Sequence, residues 1–262
     1  MENKINVLDK GYVKLLNHMG TDDEIANSAR VSTQSDGKDN RRLIRYLIRN
    51  GHMQPIEFGV LKFEIKLPIF VERQWVRHRT ATMCELSGRY ADSDCEVYIP
   101  ELEDVRGNEE FRESQDGGNR FYSENENAYN AGLTAYTESL SIGVDRELAR
   151  INLPLGLYTL KHWQIDLRNL LHFLNLRNNP HAQLEIKEYA DAIECIVSDK
   201  FPLVYSTYCD YIKNAVTFSS TEMMLLKAYK FNINDIIEDA PLTGSKWFYG
   251  KSELEDFLEK LK

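Results

Sequence analysis

A strict alternation of apolar and charged residues that ends at a proline constrains the fold more than any other feature. From residue 61 to 67, Leu, Phe, Ile and Leu alternate with Lys, Glu and Lys, and Pro68 follows. Side chains of a strand point alternately to its two faces, so a period of two predicts a strand with one buried face. Proline suits the first turn of a helix. The pattern therefore predicts a strand that passes directly into a helix over residues 69–77.

The remaining apolar residues mostly recur at helical spacing. A first strand, interrupted at Gly11, is expected over residues 4–16, and Thr21 followed by Glu24 predicts a capped helix start. Helices are predicted at residues 21–30, 40–50, 119–142, 145–152, 155–163, 167–177, 181–200 and 254–261. One strand layer among many helices indicates an α+β fold. We expect a single domain over residues 1–218, with a mixed β layer packed against several helices, and a helical, docked extension over 219–262.

The segment Gln74–Tyr90, QWVRHRTATMCELSGRY, concentrates positive charge in a chain whose formal net charge is -9. Arginine carries a planar fork that binds phosphate through two hydrogen bonds, and Gly88 beside Ser87 leaves room for backbone N–H groups to approach an anion. These features favour a site for a small polyanion. A solvated basic turn is the alternative that the residues alone leave open.

The predicted helix at 167–177 carries two stripes. Its leucines form a core stripe, whereas Arg168, His172 and Asn175 lie at i, i+4 and i+7 on a separate face. A helix packed only for stability has no need of the second stripe, so we expect it to line a pocket. Asp166 precedes the helix and is typical of an N-cap.

Composition excludes several classes of protein. The acidic pI of about 5.3 disfavours nucleic acid as a partner. No apolar run is long enough to span a membrane, and the first ten residues lack the apolar stretch of a signal peptide, so a cytoplasmic location is expected. Cysteine spacing shows no CxxC pair, which predicts no metal site and small buried thiols at Cys84, Cys95, Cys195 and Cys209.

Arg77-His78-Arg79, seven further residues and then Ser87 resemble the signature of the flavin-dependent thymidylate synthases. The flanks ERQWVRHR and ELSGRY, and the segments HMQPIEF, RINLP and LRNLLHFLNLR, match that family in the same order from roughly residue 20 to 205. The resemblance implies the thymidylate synthase-complementing-protein type of fold. It also implies conversion of dUMP to dTMP, with methylenetetrahydrofolate as carbon donor and FAD as cofactor, reduced by NADPH. A homotetramer with sites at its subunit junctions is implied as well.

The family's contacts can be transferred residue by residue. The resemblance implies that FAD is bound by Gln54, Arg77, His78, Arg79, Thr80, Glu85, Asp166, Arg168 and His172. It implies that dUMP is bound by Gln74, Trp75, Val76, Arg77, Glu85, Leu86, Ser87, Gly88, Arg89, Arg150 and Arg177, with the phosphate on Arg89 and Arg150. The implied catalytic residues are Arg177, which stabilises charge on the uracil as N3 loses its proton, and His52, which lies near the flavin ring.

The residues by themselves allow blander roles. Asp166 caps its helix, Arg177 interacts with a helix macrodipole, and His52 is a satisfied histidine beside a helix end. Ser87 has no evident His–Asp partner, so we assign it to substrate positioning. A classical thymidylate synthase would need a cysteine after proline and before histidine, which this chain lacks. A nucleotide- or RNA-binding module would not explain the polar helix stripe.

Overall fold

The computed structural model describes residues 4–32, 34, 39–88, 95–105, 107, 111, 116–228 and 258–260. The chain divides into two compact units, Met1–Ile212 and Lys213–Lys262. The boundary expected at residue 218 stays a prediction, and the helix predicted at 254–261 lies mostly outside the described residues.

Five of the described strands form one sheet with the order β1-β2-β3-β5-β4. They are β1 Lys4–Val7, β2 Gly11–Met19, β3 Val60–Pro68, β4 Thr82–Glu85 and β5 Tyr158–Asp166. The alternation that predicted β3 is confirmed, because Leu61, Phe63, Ile65 and Leu67 are all fully buried. The α+β class is confirmed too, but pairing among these strands is antiparallel throughout rather than of mixed direction. Antiparallel neighbours need no crossover connection, and β1 and β2 are joined by a tight turn.

Most of the other regular elements in the described chain are α-helices. They are α1 Asp22–Val31, α2 Asn40–Arg49, α3 Ile69–Trp75, α4 Gly117–Ser141, α5 Arg146–Ala149, α6 Leu167–Arg177, α7 Leu184–Lys200, α8 Pro202–Tyr208 and α9 Ser220–Ala228. Short 3-10 helices run over Gln54–Phe58, Leu102–Asp104 and Arg150–Asn152, and a π-helix over Cys209–Lys213. The predicted caps are confirmed: Thr21 Oγ1 accepts from the Glu24 N–H at 3.2 Å, and Asp166 Oδ1 accepts from the Asn169 N–H at 3.0 Å.

The helix predicted at 155–163 is wrong, because most of this segment is strand β5. Thr159, Lys161, Trp163 and Ile165 are buried, whereas His162 and Gln164 between them are exposed. That is a period of two. A lysine at an inward position concealed it, since the sequence gives no reason to place a charged residue on a buried face.

An aromatic cluster fixes the end of α3. The Trp75 ring lies 5.1 Å from that of Trp163 and 4.7 Å from that of Phe173, centroid to centroid, and is fully buried. Because Trp75 is held between β5 and α6, the basic segment that follows it, residues 76–81, leaves the core at a fixed point.

The prediction of buried cysteines is wrong. Cys84 and Cys195 are exposed, and Cys95 and Cys209 are half-buried, all as free thiols. Cys84 lies on edge strand β4 opposite the exposed His162, so both side chains share the outward face. Among the described residues, no helix combines the length and apolar character that crossing a membrane requires.

Candidate active site

The basic segment connects the end of α3 at Trp75 to the start of β4 at Thr82. The His78 N–H donates to the Trp75 carbonyl at 2.9 Å, which turns the chain out of the helix. Arg77, Arg79 and Thr80 are exposed and Val76 is half-buried. The Trp75 ring presents no surface to a ligand, so the contact implied for this residue is restricted to its backbone.

Arg177, at the end of α6, is held by His78 of the basic segment and by the last turn of α3. Its Nε donates to His78 Nε2 at 2.9 Å, and its Nη2 donates to the Gln74 carbonyl at 3.2 Å. Burial, together with the positive charge of Arg177, lowers the pKa of His78 to about 4. His78 is therefore uncharged at neutral pH, and its Nε2 can accept a hydrogen bond from a cation.

The same histidine connects this group to the polar stripe of α6. The His78 ring meets the Phe173 ring edge-on at 4.8 Å, and the His172 ring lies 6.4 Å away. His172 lines a pocket of about 360 Å³ together with Arg168 and Asn175. The prediction that this stripe lines a pocket is confirmed.

A second pocket, of about 550 Å³, adjoins the first, and both are lined by Met53 and Arg168. His52 and Gln54 also line the larger pocket. Gly51 adopts the left-handed conformation, φ 72°, and turns the chain after α2 so that His52 follows in the pocket wall. The His52 ring stacks on that of Tyr46, with 5.9 Å between their centroids.

Two candidate cofactor residues already have partners in the chain. Arg168 Nη1 donates to Glu57 Oε1 at 2.5 Å. Both carboxylate oxygens of Asp166 accept from Asn169, at 3.0 Å from its backbone N–H and at 2.7 Å from its side-chain amide. Asp166 thus acts as a helix cap, and its contact with FAD stays a prediction.

A third group of candidate residues surrounds the end of β4. Thr159 Oγ1 donates to Glu85 Oε1 at 2.9 Å, and the Leu86 N–H donates to the Leu160 carbonyl at 2.8 Å. A β-carbon placed on Gly88 would lie 3.6 Å from Cδ and Nη1 of Arg150, so Arg150 passes beside this glycine. Ser87 is half-buried, and Arg89 lies outside the described residues. Neither pocket is lined by Glu85, Gly88 or Arg150.

The donors around the two pockets suit an anionic, planar cofactor. Guanidinium, imidazole and amide groups converge there, and both cavities are of the size that encloses small ligands. A flavin dinucleotide combines a planar ring system with phosphates, so the residues present fit it. Among the described residues, no cluster of three or more His, Cys, Asp or Glu side chains is arranged to hold a metal ion.

A buried ion pair beside Trp75 was not predicted from the sequence. Lys161 Nζ donates to Glu72 Oε2 and lies 4.0 Å from the centroid of the Trp75 ring. Burial lowers the pKa of Lys161 and raises that of Glu72, although each charge opposes the shift of the other. The signal was the alternation of β5, in which Lys161 falls on the buried face. Tyr46 and Arg30 in the wall of the larger pocket were also missed.

Comparison with known proteins agrees with this architecture. Residues 14–203 match the family described as Thymidylate synthase complementing protein. The flavin-dependent thymidylate synthase of Treponema denticola is 40% identical, over 100% of this chain and 98% of the relative. That of Thermotoga neapolitana is 44% identical, over 79% of this chain and 95% of the relative.

A solved structure supports the same assignment. The UMP/dUMP methylase PolB from Streptomyces cacaoi, bound with 5-Br dUMP, is 29% identical with a TM-score of 0.72, covering 80% of this chain and 99% of PolB. These matches confirm the resemblance noted in the sequence. The chain belongs to the thymidylate synthase complementing protein family.

Proposed function

We infer that the protein is a flavin-dependent thymidylate synthase that converts dUMP to dTMP. The observation that carries this inference is the Arg177 guanidinium, fixed by an uncharged histidine and a main-chain carbonyl beside pockets lined with further basic groups. The names of its relatives, which cover nearly the whole chain, support flavin dependence, and the dUMP methylase neighbour supports the substrate.

The family resemblance implies the co-substrates, and electron counting states what each must supply. A methylene carbon needs two electrons and a proton to become a methyl group. If the folate supplied these electrons, its product would be the oxidised dihydrofolate. If another reductant supplies them, the folate product is tetrahydrofolate. We assign the carbon to methylenetetrahydrofolate and the electrons to NADPH, which becomes NADP⁺. When bound, the flavin supplies the redox chemistry between them.

Arg177 is assigned the main electrostatic role. Loss of the N3 proton from uracil leaves negative charge toward O2 and makes C5 a better nucleophile, and a fixed guanidinium stabilises that charge. Nε and Nη2 are engaged within the chain, which leaves Nη1 outside those two hydrogen bonds. The two anchors orient the fork before substrate arrives, so little ordering is needed on binding.

The group at the end of β4 is assigned to the nucleotide. Arg150 supplies a cation beside Gly88. Because glycine has no side chain, a phosphate can approach the backbone there as well as the guanidinium. Glu85, Leu86 and Ser87 position the rest of dUMP. His52, Gln54, Arg168 and His172, in the two pockets, are assigned to FAD, together with the segment from Arg77 to Thr80.

We further propose a homotetramer whose subunits share each site. Arg150 and Gly88 line neither the pocket of Arg168 and His172 nor the larger pocket beside it, which supports this assembly. A cleft at a symmetric subunit junction would bring both groups to one ligand set.

Flavin binding and turnover test the proposed function. Saturating FAD is expected to give bound flavin absorbance and to raise the melting temperature by mass action. With dUMP, methylenetetrahydrofolate and NADPH, dTMP should accumulate, and omission of any one of the three should stop it. If the protein gave no bound flavin absorbance and no thermal stabilisation with saturating FAD, the assignment would be contradicted.

Mixed assemblies test the shared site. Arg150→Ala and Arg177→Ala should each be nearly inactive, and unfolding and refolding them together should restore some wild-type sites. Each variant refolded alone is the control. No recovery in verified mixed tetramers would mean that both residues act from one chain, and a monomer by sedimentation would remove the shared-site model.

A further inference from the structure

A third cavity, of about 450 Å³, lies along the outer face of α2. We call it the α2 arginine pocket, and its lining consists of Asp39, Arg41, Arg42, Arg45, Tyr46, Arg49 and Tyr211. None of these residues was assigned to FAD or dUMP. A concentration of arginines in a chain of net charge -9 calls for a physical reason.

Repulsion between like charges makes part of this charge unfavourable to the helix itself. Arg41, Arg45 and Arg49 are spaced by four residues, so neighbouring like charges repel along one face. Asp39, the N-cap of α2, accepts from the Arg42 N–H at 2.9 Å, but the first turn that follows contains no acidic residue, and Arg41 and Arg42 lie there, at the positive end of the helix dipole. An arrangement unfavourable in the free protein is explained if an anion binds to it.

Most of the pocket's cationic groups are available to a ligand. Arg45 Nη2 donates to Asp210 at 2.5 Å and to the Tyr211 hydroxyl at 2.9 Å, so it is partly neutralised. Arg41, Arg42 and Arg49 are exposed, and their side chains form no ion pair with another described residue closer than 4.0 Å. Three guanidinium forks thus face one cavity.

Aromatic rings determine the kind of anion. Tyr46 and Tyr211 belong to the lining, and Arg45 already lies over the Tyr211 ring at 4.8 Å. Tyr46 also lines the 550 Å³ pocket and stacks on His52. The α2 arginine pocket therefore adjoins the candidate flavin pocket through one shared side chain. Arg41 and Arg42 are five and four residues from Tyr46, on the order of 8 and 6 Å along the helix.

We propose that the α2 arginine pocket binds the phosphates of the reductant, a nicotinamide dinucleotide with a 2′-phosphate, while its nicotinamide end extends past Tyr46 toward the flavin pocket. The proposal rests on the proposed function, in which NADPH supplies the electrons. A polyglutamate tail of folate carries comparable negative charge but no aromatic ring, so the two tyrosines favour the nucleotide.

Binding of NADP⁺ to the FAD-loaded protein tests the site without turnover. The variant Arg41→Gln/Arg42→Gln should raise the Kd for NADP⁺ by about tenfold or more, the scale of one lost charge-assisted hydrogen bond. Arg49→Gln alone should also weaken binding. FAD content and thermal stability should not fall, because the substitutions relieve repulsion at an exposed helix face. The matched control is Lys62→Gln/Arg120→Gln, which removes two exposed cations from β3 and α4.

Turnover with two reductants separates this proposal from the proposed function. With NADPH, the Arg41→Gln/Arg42→Gln variant should show a raised KM and a reduced preference for NADPH over NADH. When dithionite supplies the electrons, its dTMP formation should equal that of the wild type.

An unchanged Kd for NADP⁺, with dithionite-driven turnover intact, would overturn the site and leave the proposed function standing. An equal loss in the control variant would assign the effect to net charge and overturn it as well. A raised KM only for polyglutamylated methylenetetrahydrofolate would give the pocket to the folate tail instead. If the wild type forms no dTMP with either reductant, the proposed function and this site both fall.

Discussion

Replacing Lys161 with methionine would remove one half of a buried ion pair and keep the volume of the side chain. The Lys161 side chain is 0% exposed and that of Glu72 is 3% exposed, and Glu72 Oε1 has no hydrogen-bond partner among the described residues. The substitution leaves a carboxylate buried without its counter-charge. Such a loss costs about 3–5 kcal/mol, a large part of the roughly 5–15 kcal/mol that holds a typical domain folded.

Urea unfolding followed by circular dichroism, at one protein concentration, measures this loss. Lys62→Met is the matched control, because Lys62 lies on the exposed face of the neighbouring strand β3 and its loss should change stability by less than about 0.5 kcal/mol. The double variant Lys161→Met/Glu72→Leu should recover most of the stability, since an apolar pair of similar volume replaces a buried ion pair at little cost.

The loss should also depend on pH in a defined direction. Burial raises the pKa of Glu72, and removal of Lys161 takes away the charge that opposes this shift. The folded state of the variant then binds a proton that the unfolded state has released, so its stability falls as pH rises above the ordinary carboxyl range. A Lys161→Met protein within about 1 kcal/mol of wild type at neutral pH, or a double variant no more stable than the single one, would refute this argument.

Three further predictions concern the site. Arg177→Ala should retain FAD but lose ~10² to 10³ in turnover, the scale of one lost oxyanion donor, in steady-state assays of dTMP; a change in KM alone would show that Arg177 only binds. The pKa of His78 is lowered to about 4 in the folded state. Between about pH 6.5 and about pH 4 the unfolded state therefore binds a proton that the folded state does not bind. Wild type should therefore lose more stability than His78→Gln between pH 7 and 5 in urea melts, and equal losses would contradict the neutral histidine. Replacing all four cysteines with serine should keep turnover within an order of magnitude if the protein folds, whereas one inactive single variant with FAD bound would indicate a cysteine nucleophile.

Periodicity was a reliable guide where one face of an element is uniformly apolar. Strand β3 and helix α6 satisfy that condition and were predicted within a residue of their observed bounds. Strand β5 does not, because Lys161 occupies an inward position whose partner, Glu72, lies 89 residues away. The sequence could not indicate that pairing.

The candidate site was also predicted only in part. The stripe of Arg168 and His172 follows from local helix geometry, and the pocket it lines was expected. The contact between Arg177 and His78 joins residues 99 apart, and it depends on how α6 packs against the end of α3. Residue types indicated the chemistry, whereas tertiary packing determines which nitrogen faces which.

The buried Trp75 and the start of β4 at Thr82 restrict how the basic segment between them can change in length during evolution. Six residues, 76–81, connect a fully buried ring to a strand in register with β5. A chain that short has no slack to absorb an insertion or deletion, so any change of length would shift His78 away from Arg177 or move β4 out of register. Variation here is confined to substitution.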